Sequence, residues 1–163
     1  TELDGDYLVI KLDSKISVKS SATLKINITV PKLTEIKASG ASRVEFLNEL
    51  NTNSLNLDLS GASALKGNIN LNSCNFDLSG ASNVELTGNI NTAIIELSGA
   101  SSIGNYNCNI DTLSIDLSGA SSGLLTVNNW LNVNASGASS LHYKGDPTIG
   151  EQEISGGSSL IKE

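Results

Sequence analysis

Four acidic residues, Asp58, Asp77, Glu96 and Asp116, return at intervals of 19, 19 and 20 residues, each between two apolar neighbours. Carboxylates that recur so evenly gain a chemical use if the backbone stacks the copies. Pairs near 5 Å apart could work as general acid and nucleophile on a glycosidic bond. They could instead offer oxygen ligands to Ca²⁺, helped by Asn56, Asn75 and Ser114 on the same face. The plain alternative is a hydrated polar surface that keeps the molecule soluble, although like charges at that spacing repel one another. Asn56, Asp58, Asn75, Asp77, Glu96 and Asp116 are therefore the candidate ligand-binding residues. The Gly-Gly-x-Gly-x-Asp pattern of Ca²⁺-binding repeats is absent, so no metal site is assigned.

Turnover of an acidic sugar would also need Arg or Lys beside the carboxylates, to bind the substrate and stabilise developing charge. The only arginine is Arg43 and the only histidine is His142. Their positions in the repeat place them five turns apart, so Arg43 is expected as a solvated charge and His142 as a surface residue. The many serines have no base beside them. No catalytic residue and no cofactor are expected. Cys74 and Cys108 have neither a CxxC spacing nor a histidine partner. The register sets them about five residues apart along the strand direction, too far for a disulfide. Both are expected as buried, unpaired small hydrophobes. Among the aromatics, Phe76 falls in a core column, whereas Tyr106, Trp130 and Tyr143 follow their corners and could line one edge.

The element that must position all of these is a repeat. Ser-Gly-Ala-Ser occurs six times, with glycines at Gly40, Gly61, Gly80, Gly99, Gly119 and Gly137, and a seventh copy with Gly for Ala is centred on Gly156. The spacings are 21, 19, 19, 20, 18 and 19, a period of about 19. Two residues before each glycine stand Ala38, Leu59, Leu78, Leu97, Leu117, Ala135 and Ile154. Four before it stand Ile36, Leu57, Phe76, Ile95, Ile115, Val133 and Gln152, with the acidic column between. Alternation of period two is the mark of a strand. After the glycine, Val44, Leu65, Val84, Ile103, Leu141 and Leu160 form another apolar column, broken by Gly123, and Ile69, Leu71, Ile90 and Ile110 suggest a third short strand.

Three short strands in about 19 residues are too few for a βαβ unit or a propeller blade, and the leucine-rich frame is missing. The fold class is therefore all-β: a single-domain right-handed parallel β-helix, or solenoid, with the hand taken from the usual hand of parallel crossovers. Glycine supplies the positive φ of each corner. The Ala after it is expected to stack inside the bend, with Ser hydroxyls bonding to backbone or to the next turn. Residues 33–163 hold the repeat turns. Residues 1–32 lack the motif and alternate instead, Tyr7 to Leu12 and then Leu24, Ile26, Ile28 and Val30, which reads as an N-terminal β cap with the first strands. The domain as a whole is 1–163. Gly145-Asp146-Pro147, Gln152 and Gly157 dilute the pattern, so the last turn is expected to fray.

Net charge constrains the partner. Seventeen acidic against ten basic residues leave about −7, which repels nucleic acid and anionic lipid surfaces. No stretch has the length and apolarity of a membrane span. The chain opens at Thr1 rather than Met, which leaves room for a removed export signal or tether.

The run Asp4-Gly5-Asp6-Tyr7-Leu8-Val9-Ile10, then Ile28-Thr29-Val30-Pro31-Lys32-Leu33-Thr34-Glu35-Ile36, then repeated Ser-Gly-Ala-Ser, resembles the bacterial domain family called putative auto-transporter adhesin, head GIN domain. That resemblance implies an exported cell-envelope protein, in the periplasm or on the cell surface, of pectin-lyase-like shape. It brings no catalytic or binding motif. The expected function is a non-enzymatic adhesin, display or structural module whose partner is a cell-surface protein or glycan. The alternative is a polysaccharide-binding or polysaccharide-active domain of the same shape.

Overall fold

A computed structural model describes residues 1–12 and 23–163, with the backbone alone at residue 105. Its contacts divide the chain into two units, Thr1–Val30 and Pro31–Glu163. In the first, β1 (Glu2–Asp4) and β2 (Tyr7–Val9) form a two-stranded antiparallel hairpin. Gly5 turns it with φ 59°. The expected strand through Leu24, Ile26, Ile28 and Val30 has no ladder among the described residues: the alternation is there, and all four side chains are exposed. A strand is defined by its hydrogen-bonded neighbour, which alternation alone does not supply. The middle of the expected cap, residues 13–22, lies outside the described residues.

The second unit is the expected parallel coil. Its strands are β3 (Glu35–Ala38), β4 (Arg43–Glu45), β5 (Leu50–Leu59), β6 (Ala64–Leu78), β7 (Asn83–Leu97), β8 (Ser102–Leu117), β9 (Ser122–Ala135), β10 (Ser140–Lys144), β11 (Thr148–Ile154) and β12 (Ser159–Lys162). No described residue is helical, and the coils stack about 19 residues apart in about seven turns. Parallel pairing joins each coil to the next, as in Leu57↔Phe76↔Ile95↔Ile115↔Val133. Because every strand repeats the same inward and outward assignments, a slip of one residue would turn a whole aliphatic column to water, and that fixes the register.

The core is the set of inward columns. Leu59, Leu78, Leu97 and Leu117 are all buried, as are Leu57, Phe76, Ile95, Ile115 and Val133. A further column six residues before each glycine, Leu55, Cys74, Ala93, Leu113 and Leu131, is buried too. It extends the strand by one more inward position than the sequence pattern suggested. Gly123, the break in the column after the corner, is filled from the next coil: a Cβ there would lie 2.8 Å from Leu141 Cδ1.

The corner departs from expectation in which small residue faces in. Ala62, Ala81, Ala100, Ala120 and Ala138 are exposed, whereas Ser63, Ser82, Ser101, Ser121 and Ser139 are each 1% exposed. An inward hydroxyl needs an acceptor: Ser63, Ser82, Ser101 and Ser139 donate to the first carbonyl of their own motif, as Ser82 Oγ does to Ser79 O at 2.7 Å, and Ser121 Oγ donates to Leu97 O of the coil below at 3.4 Å. Ser101 also reaches Leu78 O of the coil below at 3.1 Å. Alanine has no hydroxyl to cap those carbonyls, and its methyl faces solvent.

The glycines meet two demands at once. Gly61, Gly80, Gly99, Gly119 and Gly137 have φ between 70° and 76°. They also stack so closely that a Cβ on Gly99 would stand 2.6 Å from Gly80 O. The Ala100 N–H uses that proximity, donating to Gly80 O at 2.7 Å. At the far end the inward columns thin out, with Ile154 exposed, but the backbone ladder continues. β12 pairs β10 from Ser140↔Ser159 to Tyr143↔Lys162, and Glu163 N–H donates to Tyr143 O at 2.9 Å. The backbone ladder tolerates Gln152 and Gly157 because neither removes a ladder donor.

Candidate functional site

Strands β3, β5, β6, β7, β8, β9 and β11 each contribute the segment that leads into the corner, and their outward residues make one face of three parallel columns. The first runs Lys37, Asp58, Asp77, Glu96, Asp116, Asn134, Glu153. Beside it runs Glu35, Asn56, Asn75, Ile94, Ser114, Asn132. The third is Ser54, Ser73, Thr92, Thr112, Trp130, Thr148. All six candidate ligand-binding residues, Asn56, Asp58, Asn75, Asp77, Glu96 and Asp116, thus meet in two adjoining columns, on backbones about 4.8 Å apart from coil to coil. They are all exposed. Lys37 at the end of the acidic column bonds Glu35 at 2.9 Å. Among the described residues no group of three or more His, Cys, Asp or Glu is placed to hold a metal ion.

Two apolar residues interrupt this face. Ile94 is 49% exposed and Trp130 is 42% exposed. Ile94 stands where its column otherwise carries Glu, Asn or Ser, and a tally of residue types at that position would have found it. Trp130 does not share an edge with Tyr106 and Tyr143. Tyr143 points into the core at 9% exposure. Tyr106 falls in the register shift between Gly104 and Asn109 at φ 64°, with the Lys144 ammonium 4.4 Å from its ring centroid. Burial, and behind it the Glu163 carboxylate, push the Tyr106 hydroxyl above its ordinary pKa.

Arg43 and His142 are kept apart. Arg43 belongs to the first coil and lines a shallow depression with Lys66, Asn83 and Glu85. His142 is five ladder steps away, half-buried, with Nδ1 2.8 Å from the Glu163 carboxylate. Neither borders the acidic column. Cys74 and Cys108 are both free and buried. Their columns are offset as expected: Cys74 stacks on Ala93 and Leu113, Cys108 on Gly88 and Ile69. Burial pushes the Cys108 thiol up to about 12 and Cys74 higher still, the latter with a smaller contribution from Cys108. Neither is an active nucleophile at neutral pH. Away from that face, side-chain amides bridge successive coils, with Asn91 Nδ2 donating to Asn72 Oδ1 at 3.0 Å and Asn109 Nδ2 to Asn89 Oδ1 at 3.3 Å.

With the geometry in place, relatives can be compared. The family described as "Putative auto-transporter adhesin, head GIN domain" matches residues 1–147. Among solved structures, a putative lipid binding protein from Parabacteroides distasonis is similar with a TM-score of 0.63 at 20% identity. The match covers 80% of this chain and 62% of that one, so this chain spans less than two thirds of that protein, and at such identity the likeness is one of fold. No curated protein matches by sequence. Among the described residues, no helix is long and apolar enough to cross a membrane.

Proposed function

We propose, from the premise that the chain belongs to the head GIN domain family, that it is an exported, non-enzymatic module of the bacterial cell envelope that makes contact through its flat outward face. The family's description is that of an adhesin and implies a protein displayed outside the cytoplasm. The observation that carries the rest is the face itself. Three columns of polar side chains are held in register by a continuous parallel ladder from β3 to β11, a rigid surface on which neighbouring groups keep a constant spacing. Rigidity lowers the entropy lost on binding, which is what an attachment surface needs. Arg43 and His142 lie away from the carboxylates, and the cation within the column, Lys37, is paired with Glu35 at its end beyond Asp58, which argues against acid-sugar turnover along that column.

The lipid description of the structural relative is not carried over. The interior of this coil is occupied by Leu, Ile, Val and Phe side chains packed on one another. The test is accessibility on intact bacteria making the full-length protein, read with an antibody to the coil and with added protease. Signal and cleavage on intact cells are expected. Signal that stays absent until the cytoplasmic membrane itself is broken overturns the assignment. Polyuronate turnover lost in an Asp77→Ala, Glu96→Ala double variant would replace it with the polysaccharide-active alternative.

A further inference from the structure

The geometry points to Trp130 as the platform of a carbohydrate site that takes neutral hexopyranose units, on the outward face of β9 beside a bulge in β11. It goes beyond attachment in general by naming ligand chemistry, and it concerns binding by the purified chain, so it stands or falls apart from surface display.

Trp130 is the only tryptophan. A single exposed hydrophobe is ordinary, and exposure alone would mean nothing. What distinguishes this one is that its ring is held. Trp130 Nε1–H donates to Asn132 Oδ1 at 2.9 Å, and the same oxygen accepts the Glu151 N–H at 2.9 Å. Beside that bond the ring edge lies against Gly150, where a Cβ would stand 2.5 Å from Cζ2 and 2.8 Å from Cε2 and would meet Asn132 Oδ1 closer still. Only glycine leaves room for the ring in that position. The indole is thus oriented by its own N–H and bedded on backbone while it remains 42% exposed.

The bulge makes this possible. Ile149 pairs Leu131 and Gln152 pairs Val133, three steps on β11 against two on β9. The extra residue turns the Glu151 N–H from the ladder to Asn132. Bulges commonly re-aim side chains beside binding sites. Other strands of this face pair without one: β5 to β6 and β6 to β7 run through the same columns with no such shift.

The surroundings suit a sugar. A pyranose presents an apolar face of C–H bonds edged by hydroxyls, so it needs a flat aromatic and a margin of small donors and acceptors. Thr112 and Thr148 flank Trp130 in its own column, one coil below and one above, about 4.8 Å away. Ser114, Asn134 and Glu153 lie within one coil and two to five residues, where oxygen and amide groups can meet ring hydroxyls. Charge then selects among sugars. With a net charge of −7 and a column of carboxylates alongside, uronates and sulfated chains are repelled and neutral units are not. A quaternary ammonium ligand would also tolerate the acid, but it is normally held by several aromatic walls, and here there is one.

The single indole provides the readout. The purified full chain is titrated with cellohexaose, laminarihexaose, mannohexaose and chitohexaose while its tryptophan emission is followed, with hexagalacturonate and tetramethylammonium as charged counterparts. A saturable change is expected with at least one neutral oligosaccharide and with neither counterpart. By calorimetry, Trp130→Ala should weaken that binding at least about tenfold, equivalent to about 1.4 kcal/mol, while Trp130→Tyr keeps it within a few fold. Gly150→Val, which displaces the ring but keeps it, should weaken binding and shift the emission of the free protein. No saturable change with any of the four neutral probes overturns the site, as does preference for either counterpart. Undiminished binding by Trp130→Ala overturns it too; should that variant not fold, undiminished binding by Gly150→Val does so.

Discussion

Each coil has a side that never changes and a side that does. At the corner all seven copies keep the same length, six as Ser-Gly-Ala-Ser and the last with Gly157 for Ala, and backbone bonds such as Ala81 N–H to Gly61 O and Ala120 N–H to Gly99 O repeat at 2.7 Å. Across the coil the register jumps. Between Gly104 and Asn109 the ladder skips three residues relative to β9, and one is returned between Ile110 and Thr112. The first coil absorbs its two additional residues around Leu47, which is 71% exposed. Glycine backbones in direct contact tolerate neither an added atom nor an added residue, whereas a side-chain-lined bend can bulge. Variation in repeat length therefore marks where stacking is loose, and constancy marks where backbone meets backbone.

The sharpest way to break that comparison is a methyl group. Gly99→Ala puts a Cβ 2.6 Å from Gly80 O at a positive φ, and should cost about 3 kcal/mol or more in urea denaturation. Gly40→Ala shares the φ of 75° but meets nothing within 4 Å, and should cost only about 1–2 kcal/mol. Equal losses would mean that dihedral strain alone, and not stacking, keeps the motif.

A second prediction concerns the interior behind the variable side, which is loose in length but not in packing. Cys108 there is 3% exposed. Both thiols have folded pKa values raised above the ordinary value of 9.0, so their neutral forms stabilise the fold below that pH and the benefit is lost above it. Between about pH 9 and 12 stability should fall by up to about 1.4 kcal/mol per pH unit for each thiol. Urea melts across that range check it, and Cys108→Ala should remove about half of the slope. An unchanged slope would show that other groups set the alkaline limit.

Smaller effects sharpen the corner itself. Ser101→Ala removes the bonds to Ser98 O and Leu78 O and should cost about 1–2 kcal/mol, while Ala100→Ser, on the exposed side, should stay within about 0.5 kcal/mol of the parent. The reverse order would restore an inward alanine. Smallest of all, two glycines inserted after Asn48 lengthen a bend that already carries extra residues, and should cost less than about 1 kcal/mol in thermal melts. The same pair inserted after Gly99 should prevent folding of the coil.

Much of this was legible in the residues because period-two alternation at a fixed interval admits few architectures. Leu59, Leu78, Leu97 and Leu117 had to stack once each was followed by the same glycine corner. The acidic column followed from them, since a residue between two inward neighbours must face out. Less was legible at Ser63 and Ala62, two small residues side by side whose composition does not say which one turns inward. That was settled by the carbonyls left open at the corner, which a hydroxyl can cap and a methyl cannot. Leu24 to Val30 alternates as clearly as any coil strand, yet has no ladder among the described residues, because pairing depends on a neighbour and not on the segment itself.

The chain's own order of residues determined the coil, its period, its core columns and its acidic face, because each is a local consequence of alternation and turn chemistry repeated at one interval. Tertiary structure decided what alternation leaves open: which small corner residue turns inward, and the bedding of Trp130 on Gly150 through Asn132. Those contacts join positions 2 to 23 residues apart, and at Trp130 they hinge on a one-residue bulge in β11 that no repeat pattern encodes.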